Sequence, residues 1–234
     1  MATNYNPSIV KSGLVLCLDP ANPRSYSGSG TTITDISNSE NNGTFSGGGP
    51  AYSASNNGTL VFDGSDDTIT VTTSNGFGNS SLPPNQSMSF WYKHDDNNQY
   101  DFLCGFRNNA NYDFYTLIVD QAGGDFLEVR TRTGGGGAAD TNIAWPAAYN
   151  NVWKHISVTA SGSLVTLYLD GIQANSSNSL SGNYGASSGN FTVGRYAFGF
   201  PMKGSMGQIL FYNRAITAAE VRQNFNATKG RYGL

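Results

Sequence analysis

The chain is short of charge. Asp, Glu, Lys and Arg make up 12% of its 234 residues, about half the usual share for a folded domain. Coiled coils and helical bundles draw on Ala, Glu, Lys, Leu and Arg, so that composition excludes them. Glutamate occurs three times, at Glu40, Glu128 and Glu220, and histidine twice, at His94 and His155. The 13 basic residues are scattered and no stretch gathers four of them, which argues against a nucleic-acid-binding face. No apolar run approaches the roughly 18 residues of a membrane-spanning helix. The opening Met1-Ala2-Thr3-Asn4-Tyr5-Asn6-Pro7 has neither a basic nor an apolar stretch, so no secretory leader is expected there. Cysteine occurs twice, as Cys17 and Cys104, each inside an apolar stretch. Both are expected as free, buried thiols.

What fills the chain instead is small and polar. Asn, Ser, Thr and Gly occupy 100 of the 234 positions. The 13 Tyr, 13 Phe and 3 Trp are enough to build a core, which argues against disorder. Turn formers between short apolar runs indicate a loop-rich β protein. Strands are predicted at Gly13–Asp19, Gly58–Phe62, Thr68–Thr73, Ser87–Lys93, Tyr100–Phe106, Tyr112–Val119, Phe126–Arg132, Trp153–Ala160, Leu164–Asp170, Asn190–Val193 and Gly207–Tyr212. Alternation is clear in several: Val165, Leu167 and Leu169 share a face, as do Met88, Phe90 and Tyr92. Asn22–Gly49 and Thr133–Asn151 read as irregular. No helical stretch separates the strands, which excludes a βαβ layout. One helix is signalled near the end. Thr217-Ala218-Ala219-Glu220 has capping-box form, and an apolar stripe through Val221 and Phe225 predicts a helix over about Ala218–Phe225. The fold class is therefore an all-β antiparallel sandwich with one short C-terminal helix. Nothing divides residues 1–234, so one domain is expected, with an N-terminal arm over 1–12 and a tail over 227–234.

Several motifs, in order, resemble the concanavalin A-like lectin/glucanase superfamily in its laminin-G-like, pentraxin-related branch. They are Leu60-Val61-Phe62-Asp63-Gly64-Ser65-Asp66-Asp67, Ser87-Met88-Ser89-Phe90-Trp91-Tyr92-Lys93, Trp153-Lys154-His155-Ile156-Ser157-Val158-Thr159, Val165-Thr166-Leu167-Tyr168-Leu169-Asp170-Gly171 and Gly207-Gln208-Ile209-Leu210-Phe211-Tyr212-Asn213-Arg214. The resemblance implies a jelly-roll sandwich over nearly the whole chain. The opening Ser12–Asn22 and the ending Glu220–Ala227 are similar to laminin-G-like virion proteins of tailed marine and cyanobacterial phages, although Cys17 and Ile33 depart from the aromatics common there. That implies a virion protein, made in the host cytoplasm. It would be a capsid decoration protein or a tail or fibre component, with other virion proteins or further copies of itself as partners. The alternative is a lectin-like module for a host-surface glycan.

Catalysis is not expected. A retaining glucanase needs two carboxylates about 5–5.5 Å apart, and none of the three glutamates has an acidic neighbour two or four positions along its strand. No metal-binding or Ser-His-Asp spacing is visible. Asp63, Asp66 and Asp67 offer carboxylates to calcium, although an Asp-Gly turn accounts for them as well; no cofactor is expected. Trp145, Tyr149, Tyr196, Phe198 and Phe200 fall in predicted loops, which makes them candidates for an exposed aromatic surface, as a protein interface or a glycan platform.

Overall fold

A computed structural model describes residues 7–72, 85–96, 99–108, 112–119, 125–132, 138–177, 190–195 and 199–234. In chain order the strands are β1 (Leu14–Leu18), β2 (Thr32–Ile33), β3 (Gly43–Ser46), β4 (Ala51–Ser53), β5 (Thr59–Asp63), β6 (Thr68–Val71), β7 (Asn85–His94) and β8 (Tyr100–Asn108). There follow β9 (Tyr112–Val119), β10 (Phe126–Arg132), β11 (Ala138–Ala144), β12 (Trp153–Ser161), β13 (Leu164–Leu169), β14 (Ile172–Ser177), β15 (Phe191–Val193), β16 (Lys203–Tyr212) and helix α1 (Ala218–Thr228). Among the described residues no helix is long and apolar enough to cross a membrane.

The strands form two eight-stranded sheets. One runs β14-β13-β12-β7-β16-β5-β4, with β1 also paired to β16; the other runs β11-β10-β9-β8-β15-β6-β3-β2. Every pairing described is antiparallel. This is the all-β sandwich expected from the sequence. The segments read as irregular contain real strands: β2 and β3 lie within Asn22–Gly49, and β11 within Thr133–Asn151. β16 begins at Lys203, ahead of the predicted Gly207, and its register with β7 shifts between Met206 and Ile209.

Period-2 alternation builds the core. Met88, Phe90 and Tyr92 of β7 and Val165 and Leu167 of β13 face Phe106, Phe114, Ile118 and Val129 of the second sheet. Both cysteines are free and buried, and burial pushes both thiols up to about 12. His94 was isolated in the sequence. In the fold its Nδ1 lies 3.2 Å from the Asp101 carboxylate and 3.0 Å from the Tyr92 hydroxyl, which donates to Asp101 at 3.0 Å. This buried group ties β7 to β8 across the sandwich.

Gln86 of β7 is the opposite case. It is fully buried, in register with Ala160, and neither amide atom has a hydrogen-bond partner among the described residues. An unpaired buried polar group costs about 1–3 kcal/mol. Gln86→Met keeps the volume and removes both orphans, so denaturant unfolding should show a gain of about 1 kcal/mol or more. A loss of stability would contradict this assignment.

Helix α1 covers the outer face of the first sheet. Its capping box forms as the sequence indicates, between Thr217 and Glu220. Arg214 clamps the Glu220 carboxylate at 2.6 and 2.9 Å and, with the Thr217 amide, holds it down to about 2. The chain's two ends meet here. Val10 N–H donates to Asn224 Oδ1 at 2.9 Å, Tyr212 donates to the Val10 carbonyl at 3.0 Å, and Gln223 donates to the Ser8 carbonyl at 2.7 Å.

Candidate functional site

Among the described residues no helix packs on the outer face of the second sheet. Register determines which residues point there. Tyr100 of β8 and Phe126 of β10 share one row, through their common pairing with Val119. Phe102, Glu128 and Asn142 share the next. Arg130 and Asp140 lie opposite each other in the third. Tyr100, Phe126 and Phe200 are half-buried and pack around the buried Phe102.

Phe200 joins this face from the segment before β16. Its carbonyl accepts the Phe102 N–H at 2.9 Å, and its ring lies 5.1 Å from that of Tyr100. Its φ is +57°, a region that a bulky residue enters at a cost of about 1–3 kcal/mol. The hydrogen bond and the aromatic packing hold it there.

Beside the rings is an ionic trio. Arg130 Nε donates to Glu128 Oε1 at 2.6 Å and lies 3.6 Å from Asp140 Oδ1. The Glu128 side chain is 4% exposed, that of Arg130 25% and that of Asp140 38%. Burial raises the Glu128 carboxyl above its ordinary range, outweighing the downward pull of Arg130. A guanidinium thus occupies the space between the two carboxylates. A retaining glycosidase needs that space for the sugar, with both carboxylates turned to it. The arrangement suits binding: half-exposed rings to lie against the apolar face of a sugar, with Arg130, Asp140 and Asn142 to exchange hydrogen bonds with its hydroxyls.

The aromatic candidates divide. Phe200 reaches this face, and Tyr196 and Phe198 lie outside the described residues. Trp145 is a correction: it is 1% exposed and belongs to the main core. Its ring stands 6.3 Å from that of His94, and its Nε1 donates to Asn150 Oδ1 at 3.2 Å. Its loop folds inward because the apolar alternation of β11 continues through Ile143 to Trp145. Tyr149 packs half-buried against Trp145, with Lys154 Nζ 4.2 Å from its ring centre. Trp145 therefore takes no part in an exposed surface, and Tyr149 keeps its half-exposed edge beside Lys154.

Asp63, Asp66 and Asp67 do come together, with carboxylate oxygens within 4.8 Å of one another. Asp67 Oδ2 accepts the Asp63 N–H at 3.1 Å, and Asp63 Oδ1 accepts the Ser65 N–H at 2.8 Å. The donors are of the right kind for calcium, but these bonds already close the turn without an ion.

Sequence reasoning overlooked Tyr100, Phe126, Arg130, Asp140 and Asn142. The signal for three of this face's residues was there: Phe126-Leu127-Glu128-Val129-Arg130 alternates, so positions 126, 128 and 130 share a side. The acidic partner was sought along the strand, whereas Asp140 comes from the next one.

A second concavity lies on the first sheet's outer face, beyond the helix. It encloses about 320 Å³ and is lined by Trp153, Lys93, Asp95, Asn151, Val61 and Ser205, among others.

Two antiparallel sheets around one core, with a helix on the outer face of one and a group of aromatic rings on that of the other, define a jelly-roll sandwich of the lectin type. A family profile described as the concanavalin A-like lectin/glucanases superfamily, laminin-G type, matches residues 63–222. The chain belongs to that family. No curated protein matches it. Among solved structures, it is similar to domain 4 of AbnA, a GH43 extracellular arabinanase from Geobacillus stearothermophilus, in complex with arabinotriose. The identity is 18% and the TM-score 0.68, over 91% of this chain and 98% of that one. It is also similar to the binding domain of Paraclostridial Mosquitocidal Protein 1, with 21% identity and a TM-score of 0.70 over 93% of this chain and 52% of that one. The binding domain of botulinum neurotoxin DC in complex with SialylT shows 14% identity and a TM-score of 0.70, over 94% and 52%. The chain spans about half the length of those toxin domains.

Proposed function

We propose that this chain is a non-catalytic glycan-binding module and that the aromatic end of its second sheet's outer face holds the sugar. The observation that carries the reading is the placement of Tyr100, Phe126 and Phe200 beside Arg130, Asp140 and Asn142, on a face that no helix among the described residues covers. The arabinanase domain, matched over almost its whole length, was solved with a sugar bound, which supports the reading at the level of the fold. No cofactor takes part in it.

Glycan-array screening followed by calorimetry tests it. Phe126→Ala should weaken the best glycan by roughly thirtyfold, a loss of about 2 kcal/mol, with little change in melting. Undiminished binding by that variant would reject the site. Hydrolysis of the bound glycan would reject the non-catalytic assignment. The titration repeated with calcium and with a chelator should give the same affinity; a calcium requirement would restore the aspartate trio.

For the setting we propose a tailed-phage virion, where such a module would serve host attachment. The support is the sequence resemblance of the two ends. Mass spectrometry of purified particles tests it, and a particle without this chain would refute it.

A further inference from the structure

On the outer side of the first sheet, beside helix α1, three connecting segments enclose a cavity of about 460 Å³, within the range of small-molecule sites. The arm before β1 supplies Ile9 and Lys11, the β1–β2 loop Arg24, and the β2–β3 loop Ile36, with Leu14 and Cys17 of β1 between them.

Hydrogen bonds set each wall. The arm is held to α1 and β16 by its bonds with Asn224, Gln223 and Tyr212, and the Leu14 N–H donates to the Lys11 carbonyl at 3.1 Å. In the β1–β2 loop the Asn22 carbonyl accepts from the Ser25 and Tyr26 amides at 2.8 and 2.9 Å, and the Asn22 side chain accepts the Arg24 N–H at 3.0 Å. In the β2–β3 loop the Asp35 carboxylate accepts from the amides of Cys17, Ser37 and Asn41 and from the Ser37 hydroxyl, at 2.8 to 3.0 Å. The walls therefore stand before any ligand arrives, and binding has little left to order.

The cavity has an apolar floor and a cationic rim. Ile9, Leu14 and Ile36 are half-buried and pack on the buried cluster of Val10, Cys17 and Val221. Burial keeps the Cys17 thiol neutral, so it belongs with them. Lys11 and Arg24 are exposed, and neither is paired with a carboxylate among the described residues. None of the described residues that line the cavity is acidic. Asp35 is buried and its oxygens are taken up by its four donors, so it forms no ion pair with either cation. An unpaired guanidinium can take both oxygens of one carboxylate, and Lys11 adds a second positive charge.

We infer that this cavity is a second binding site and that its ligand is a free organic acid, with a carboxylate head held by Lys11 and Arg24 and an apolar tail along Ile9, Leu14 and Ile36. An anionic membrane surface fits less well, since lipid-binding stretches gather about four to eight cations and this rim has Lys11 and Arg24 alone. The inference does not rest on the glycan-binding reading.

Calorimetry with octanoate, octanol and acetate tests it. Octanoate should bind at least about tenfold more tightly than octanol, which lacks the charge, and than acetate, which lacks the tail. The double variant Lys11→Gln/Arg24→Gln, checked for unchanged melting, should lose the preference for octanoate over octanol. Octanol binding as tightly as octanoate overturns the recognition of an anion, and acetate binding as tightly overturns the role of the apolar floor. Octanoate binding that the double variant retains in full overturns the site, and absence of octanoate binding overturns the inference whole. Co-sedimentation with phosphatidylserine vesicles that the double variant abolishes would assign the two cations to a membrane instead. None of these outcomes bears on the glycan-binding reading.

Discussion

Trp91→Ala is expected to cost about 3–5 kcal/mol, because Trp91 joins the sandwich to the chain's C-terminus. Its indole stacks on Tyr232 with centroids 4.1 Å apart and lies 5.7 Å from Phe225, and its Nε1 donates to Thr228 Oγ1 at 2.8 Å. Trp153 closes the group, 4.8 Å from Tyr232. Tyr232 fits only because residue 207 is glycine: a Cβ there would come within 2.1 Å of the tyrosine hydroxyl. Asp19 accepts from Arg231 at 3.0 and 3.1 Å and from Gln208 Nε2 at 3.0 Å, and so fixes the tail. Removing residues 229–234 should therefore destabilise the chain to a similar degree and expose Trp91 to fluorescence quenchers. A truncated chain with unchanged melting would show that the tail is dispensable.

Acid should destabilise the fold through a second residue beneath the same helix. His155 is 2% exposed, with its ring 5.0 Å from that of Trp91 and 5.7 Å from that of Phe225. Its Nε2 meets the Ser89 hydroxyl at 2.9 Å, and Nδ1 has no partner among the described residues. Burial therefore lowers its pKa from 6.5 to about 3. Below pH 6.5 the unfolded chain takes up a proton that the folded chain refuses, so this stability is complete above pH 6.5 and falls away on acidification. At pH 4.5 the loss is about 2–3 kcal/mol. Glu220, held down to about 2, keeps its contribution in that window and loses it only below the ordinary carboxyl range. Urea unfolding at pH 7 and 4.5 reads the difference. His155→Gln should flatten most of it; a slope as steep as the wild type's would assign the effect elsewhere.

Much of the sandwich was legible because its long strands alternate. Met88, Phe90 and Tyr92 point inward and Trp91 outward, as period 2 requires, and Thr217 with Glu220 marked the helix start. The short strands were not legible. Thr32–Ile33 and Gly43–Ser46 hold too few residues to show a period. In Ala138–Ala144 Thr141 faces inward, which blurs the apolar pattern. The site was less legible than the fold. Loop aromatics were read as exposed, yet Trp145 continues the inward phase of β11 into the core. Asp140 meets Arg130 through register between neighbouring strands, and local patterning does not encode it. Phe200 alone was found among the described site residues, as an aromatic next to a proline.

The central claim is that the second sheet's outer face is the binding surface. Amide chemical-shift mapping during titration with the glycan that binds most tightly tests it most directly. The largest shifts should fall on Tyr100, Phe126, Arg130, Asn142 and Phe200, with the α1 side of the molecule unchanged. Shifts gathered instead around Lys93, Asn151 and Trp153, in the concavity of the first sheet, would contradict it.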